Sequence, residues 1–412
     1  MSDPMLPLHT RIDGYGVRND QLTVDGHTLR ELAARAGQTP FYAYSRRLID
    51  ERVKKLRTIL PAGVHLHYAM KANPLPELVR HIAPQVDGLD VASAGELAVA
   101  MTTGTLPELI SFAGPGKRDV ELEAALAAGI VVNVESPSEL ERLAAIGTRH
   151  GKRPKAAIRV NPDFELKASG MRMSGGPKQF GIDAEQVPDL LRHLAGLPID
   201  FEGFHIFSGS QNLDGHAIAD AETKSLELAL QLSTHAPRPP RFINLGGGFG
   251  IPYFPGDKPV DLAPVTAALE AAQARLDRTY PASTLVIELG RYIVGEAGLY
   301  VCQVIDRKIS RGQVFLVTDG GLHHHLAASG NFGQVLRKNY PVLVGTRVHE
   351  GPREKVSVVG PLCTPLDLLA DRMEMARAEP GDLVAVFQSG AYGATASPIN
   401  FLSHPGPVEL VV

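Results

Sequence analysis

His65-Leu66-His67-Tyr68-Ala69-Met70-Lys71-Ala72-Asn73-Pro74 alternates bulky residues up to a lysine and then breaks at an Asn-Pro step. Alternation ended by an X-Pro break reads as a short strand that stops just after delivering Lys71 to the rim of a core. An unpaired ammonium is costly there. Desolvation lowers the pKa of an amine, and a neutral amine attacks carbonyls, so Lys71 is a candidate Schiff-base lysine. The plainer reading is a strand-end lysine that snorkels to solvent.

Working outward, this strand is the first of eight. The others are Gly88 to Val91, Leu109 to Phe112, Ile130 to Val134, Ala156 to Val160, Phe201 to Phe207, Phe242 to Leu245 and Thr284 to Leu289, with Ala/Leu-rich helical runs between them. Eight strands with crossover helices predict an α/β fold, a (β/α)8 TIM-like barrel, whose chemistry sits at the C-terminal ends of the strands. After Arg291 the chain turns β-rich, with segments such as Gly298 to Arg307, Gln313 to Thr318 and Leu383 to Gln388 punctuated by Gly and Pro. That pattern predicts a C-terminal antiparallel β domain. The expected division is an N-terminal segment, 1–40, that joins the β domain, a barrel over 41–283, and the β domain over 284–412.

The 412 residues are 44% hydrophobic and 21% charged, with a formal net charge of -4. Basic and acidic residues are spread without long runs, so nothing points to nucleic acid or an anionic membrane, and small substrates are expected. Two cysteines, Cys302 and Cys363, make no disulfide framework. With no apolar leader in Met1 to Arg11 and no bilayer-length apolar stretch, a cytoplasmic protein is expected.

Several barrel-strand ends carry chemistry. Gly246, Gly247 and Gly248 follow a strand, and adjacent glycines let backbone amides approach a phosphate. Glu288, Gly290 and Arg291 end the last strand, where the acid and the base could simply pair, or could hold a pyridine nitrogen's proton and a phosphate. His205 ends another strand, as a satisfied core residue or as a ring to stack on a cofactor.

Together and in this order these segments resemble the fold type III pyridoxal-phosphate (PLP) decarboxylases, the family of diaminopimelate and ornithine decarboxylases, over nearly the whole chain. The Tyr-Ala-x-Lys-Ala-Asn motif stands at Tyr68 to Asn73, Asp-x-Ala-Ser at Asp90 to Ser93, and Glu-Pro-Gly-Arg at Glu288 to Arg291 with Leu289 replacing proline. The resemblance implies PLP as cofactor and a carboxy-lyase activity, with Lys71 as the aldimine lysine and catalytic roles for Cys363, His205 and Glu288. It also implies cofactor contacts from Asp90, Ser208, Gly246 to Gly248, Gly290, Arg291 and Tyr392. Cys363, in Gly360-Pro361-Leu362-Cys363-Thr364-Pro365-Leu366-Asp367, matches the cysteine that a partner subunit contributes, which implies a homodimer with active sites at the interface. In that role it reprotonates the substrate's Cα.

Two departures bear on the substrate, whose expected contacts are Arg291, Thr364 and Asp367. Thr364 stands where family members commonly carry an acid for a distal amino group, and Ala327 where diaminopimelate decarboxylases carry an arginine for a distal carboxylate. A site built for a free distal charge presents a partner for it. The His323-His324-His325 segment instead resembles the subgroup acting on carrier-linked or modified amino acids, in butirosin, siderophore and exosortase-associated pathways. The alternatives are a free diamino acid decarboxylase, diaminopimelate decarboxylase above all, and a PLP-binding regulator without catalysis. No metal is expected at His323 to His325, because successive residues on a strand alternate faces.

Overall fold

A computed structural model describes residues 10, 12–165, 170–334 and 337–412, which divide into two compact units. The larger comprises Val53–Ile251 and Pro259–Tyr292.

Eight strands form its barrel: β1 (Val64–Ala69), β2 (Gly88–Val91), β3 (Ile110–Phe112), β4 (Val131–Val134), β5 (Lys155–Asn161), β6 (Asp200–His205), β7 (Phe242–Gly247) and β8 (Thr284–Leu289). Each is parallel to its neighbours, and β8 pairs with β1 while β4 pairs with β5, which closes the barrel. The strands are short and nearly continuously buried, as parallel strands covered by helices on one face must be. Local chemistry starts and stops the crossover helices. Ser93 and Ser136 accept the backbone N–H groups of Glu96 and Glu139 as N-caps, and Gly129 and Gly151 end helices in the left-handed conformation that glycine tolerates.

The second unit is built on a mixed eight-stranded sheet around the long strand Gly298–Ser310. Most pairings are antiparallel, but Gln313–Thr318 runs parallel to Arg353–Val359, and Val408–Val411 parallel to Phe41–Tyr44. Leu22, Val24, Leu29 and Leu32 of the N-terminal segment share a core with Phe41, Leu299, Val301 and Phe387. Two expected boundaries move. Phe41–Tyr44, read as the start of the barrel, pairs with Gly298–Ser310 instead. Thr284–Leu289, assigned past the barrel by a division at 283, is β8, and the division falls after Tyr292. Both misplacements concern strands whose apolar sequence fits either sheet, so that only pairing partners distinguish them. Among the described residues no helix is long and apolar enough to cross a membrane.

Candidate active site

The barrel interior is polar. Asn133 Nδ2 donates to Ser111 Oγ (3.0 Å), and Ser111 Oγ to Asp90 Oδ1 (2.6 Å). His67 Nδ1 lies 3.3 Å from the same Asp90 oxygen. At the end of β8, Glu288 is buried, with His205 Nε2 3.2 Å from its Oε2 and Asn244 Nδ2 donating to that oxygen at 3.2 Å. The His205 contact is an ion-pair distance off the ring N–H direction. Burial pushes the Glu288 carboxyl up, but His205 beside it, with Lys71 and Arg159, more than offsets this and holds it well below the usual carboxylate range.

Asn244 joins this carboxylate to the glycine turn, since its Oδ1 accepts the Gly246 N–H at 2.8 Å. Gly246 and Gly248 have φ of 75° and 77°, and a Cβ on Gly247 would lie 2.4 Å from Glu288 O. Only glycine leaves backbone open there. Ser208, just past β6, is buried and its hydroxyl has no partner among the described residues. Gly290 packs against the carbonyl of Ala69, and Arg291 opens a short helix, Arg291–Val294.

Lys71 lies on a single 3-10 turn, Met70–Ala72, after β1, with Nζ 5.1 Å from the Phe207 ring centroid. It is exposed, so the expected desolvation is not found: the Asn-Pro break sets a turn that lifts the amine out of the core. Its charged neighbours include Glu288 and Glu96; burial raises the Glu96 carboxyl, and the Lys71 charge offsets that only in part.

Two buried ion pairs escaped the sequence reading. Arg159 Nη1 meets Glu135 Oε1 at 2.8 Å, and Lys117 Nζ meets Glu139 Oε1 at 2.7 Å. Arg159 in the apolar run Ala156 to Val160, and Glu135 ending Val131-Val132-Asn133-Val134, were the available signals. A charge set inside a buried strand calls for a partner. Asn244 carried no signal of its own, as one polar residue inside the strand Phe242–Gly247 two positions before the glycine turn.

The remaining predicted residues lie in the sheet unit. Cys363 is exposed on the turn between Arg353–Val359 and Leu368–Ala376. Thr364 is half-buried and its Oγ1 accepts the Leu366 N–H. Asp367, expected to touch substrate, is otherwise employed. It is buried and accepts the N–H groups of Leu322 (2.6 Å) and Leu362 (2.8 Å), clamping two loops together. Tyr392 is half-buried at a left-handed φ of 53°. His323, His324 and His325 are buried in turns rather than on a strand. His323 lies tilted against His324 at 3.7 Å between ring centroids, and His325 Nε2 lies 2.9 Å from Ser389 Oγ. Ala327 is buried and uncharged.

These residues fit PLP. A buried carboxylate held ionised suits a protonated pyridine nitrogen, and the unpartnered Ser208 hydroxyl and the open Gly246 to Gly248 backbone suit a phosphate.

Residues 46–295 match the family described as "Pyridoxal-dependent decarboxylase, pyridoxal binding domain". The L-glutamyl-[BtrI acyl-carrier protein] decarboxylase of Niallia circulans is 38% identical over 91% of this chain and 89% of its own. A Staphylococcus aureus 2-[(L-alanin-3-ylcarbamoyl)methyl]-2-hydroxybutanedioate decarboxylase is 32% identical over 92% and 95%. Among solved structures, diaminopimelate decarboxylase from M. jannaschii in co-complex with L-lysine superposes with a TM-score of 0.86 at 25% identity, over 97% of this chain and 93% of that one. A buried carboxylate and a phosphate-ready turn at the strand ends, on a barrel matched across the pyridoxal-binding region, place this chain among the fold type III PLP-dependent decarboxylases.

Proposed function

We propose that the chain decarboxylates an amino acid presented as a conjugate, linked to a carrier or through an amide, rather than a free diamino acid. One observation carries this. Where relatives that read a distal charge would hold an acid and an arginine, this chain has Thr364 and the buried Ala327, and the nearby carboxylate of Asp367 is committed to two backbone amides. A free ammonium or carboxylate would lose water there without gaining a partner, a penalty of a few kcal/mol. In a conjugate the position of that charge is taken by a neutral amide or thioester, even where, as in a butanedioate conjugate, carboxylates lie farther out. Relatives acting on a carrier-bound glutamyl group and on an alanine joined through a carbamoyl link support the same reading.

Bound PLP supplies the electron sink that accepts the electron pair left as CO2 departs. Lys71 Nζ is the amine that would hold the cofactor at its aldehyde carbon. Glu288 keeps a proton on the pyridine nitrogen, and its carboxylate is suited to this because His205, Lys71 and Arg159 favour its charged form. Ser208, the Gly246 to Gly248 amides and Arg291 bind phosphate, with Tyr392 as a further contact. Cys363, exposed on its turn, returns a proton to Cα from the partner protomer of a homodimer.

Diaminopimelate decarboxylation is the second reading, favoured by the likeness to the M. jannaschii enzyme. Absorbance of the PLP-loaded protein separates the two. Micromolar carrier-bound glutamate is expected to perturb the cofactor band, whereas millimolar diaminopimelate is not, and the reverse pattern would establish the second reading.

A further inference from the structure

A cavity of about 110 Å³ opens inside the barrel at the starts of its strands, lined by His65, His67, Asp90, Ser111, Arg241 and Asn244 among others. Such a volume is well above the roughly 10–15 Å³ that one water requires. His67 and Asp90 are each 7% exposed, and His67 Nε2 and Asp90 Oδ2 have no protein partner among the described residues. Buried polar atoms without partners are rare and call for water.

The directions of the hydrogen bonds can be assigned. Asp90 is an acceptor toward His67 Nδ1, so in the neutral ring Nδ1 carries the hydrogen and Nε2 is left as an acceptor. A Cβ on Gly88 would lie 2.4 Å from that Nε2, so glycine is what admits the ring. Asn244 Nδ2 gives one hydrogen to Glu288, and its second is available to the cavity that Asn244 and His67 both line. His67 and Glu288 are also register partners on β1 and β8.

We propose that His67 is a positioning residue for Glu288. Water ordered in the cavity accepts from Asn244 Nδ2 and donates to His67 Nε2, so that the Asp90–His67 pair fixes the amide that in turn fixes the carboxylate. The inference deepens the reading of Glu288 as the partner of the pyridine nitrogen and rests on it.

The test is a crystal structure of the wild-type PLP-loaded protein together with PLP binding by three variants. A water within hydrogen-bond distance of both His67 Nε2 and Asn244 Nδ2 is expected, and a dry cavity overturns the proposal without requiring any variant to fold. His67→Leu is expected to weaken PLP binding by about tenfold, the effect of loosening one charge-assisted hydrogen bond, and to shift the pyridine nitrogen of 15N-labelled PLP toward its unprotonated resonance. His67→Gln, which keeps an acceptor, restores both, whereas wild-type binding and resonance in His67→Leu overturn the inference. Glu288→Gln separates the two levels. If it leaves the resonance unmoved, the reading of Glu288 itself fails; if it moves the resonance and His67→Leu does not, only the role of His67 falls.

Discussion

Replacing Arg159 with methionine removes the cation from a pair in which the guanidinium is 8% and the carboxylate 2% exposed. Glu135 keeps the N–H groups of Gly114 and Gly181, at 2.5 and 3.2 Å, but loses the larger of its two countercharges, with only Lys117 left in a desolvated site. Breaking a buried pair from one side costs about 3–5 kcal/mol. For a unit the size of this barrel that lowers Tm by roughly 10 °C. Arg159→Met/Glu135→Gln keeps an acceptor for one of those amides without a bare charge, and is expected to regain at least half of the loss. The pH dependence has a definite sign. Burial raises the Glu135 carboxyl, but Arg159 and Lys117 more than offset this and lower it from 4.5, so its stabilisation is present above that value and fades as pH falls through the lower folded one. The gap between wild type and Arg159→Met is therefore full at pH 7 and narrows in acid. Calorimetric melts of the four proteins of the double-mutant cycle measure it. A single variant within 2 °C of wild type, by the same size scaling, or a double no better than the single, would refute the reasoning.

Lys71→Ala is expected to abolish the covalent PLP adduct trapped by borohydride while leaving Tm within a few degrees, because the residue is exposed. Gly247→Ala forces a methyl to 2.4 Å from Glu288 O and is expected to cost about 1–3 kcal/mol in a denaturant melt, with weakened PLP binding. Glu222 is buried with neither oxygen partnered among the described residues, and burial raises its carboxyl well above 4.5. Its folded form is thus favoured in acid and penalised as pH rises above 4.5, so Glu222→Met is expected to gain about 2 kcal/mol near neutral pH, a gain that shrinks as pH falls toward 4.5, as read from melts across that range.

The barrel was legible because a buried parallel strand writes itself as a short apolar run between helical segments, and all eight runs were found within a few residues. The strand Phe41–Tyr44 was not, since its pairing with Gly298–Ser310 spans more than 250 residues and leaves no local trace. Single polar residues at strand ends were legible for the same reason as the strands. Glu288, His205 and the Gly246 to Gly248 turn stand out against apolar runs, whereas the approach of His205 to Glu288 and the link through Asn244 to the turn come from the fold alone. The employment of a residue was less legible than its presence. Asp367 follows Cys363 by four residues whether it faces substrate or clamps Leu322 and Leu362, and only the fold of two loops decides. The histidines at 323–325 were read on strand geometry that a turn does not have. Lys71 was read at the core's rim, and the turn that follows carries it outward.

The most direct measurement is CO2 release by purified, PLP-loaded protein offered diaminopimelate, ornithine, lysine and arginine beside carrier-bound glutamate and a citrate-linked amino acid. Turnover of a conjugated substrate is expected, with none of the free diamino acids. Steady release from a free diamino acid, with the conjugates inert, would contradict it and would mean that residues other than Thr364 and Ala327 recognise the distal charge.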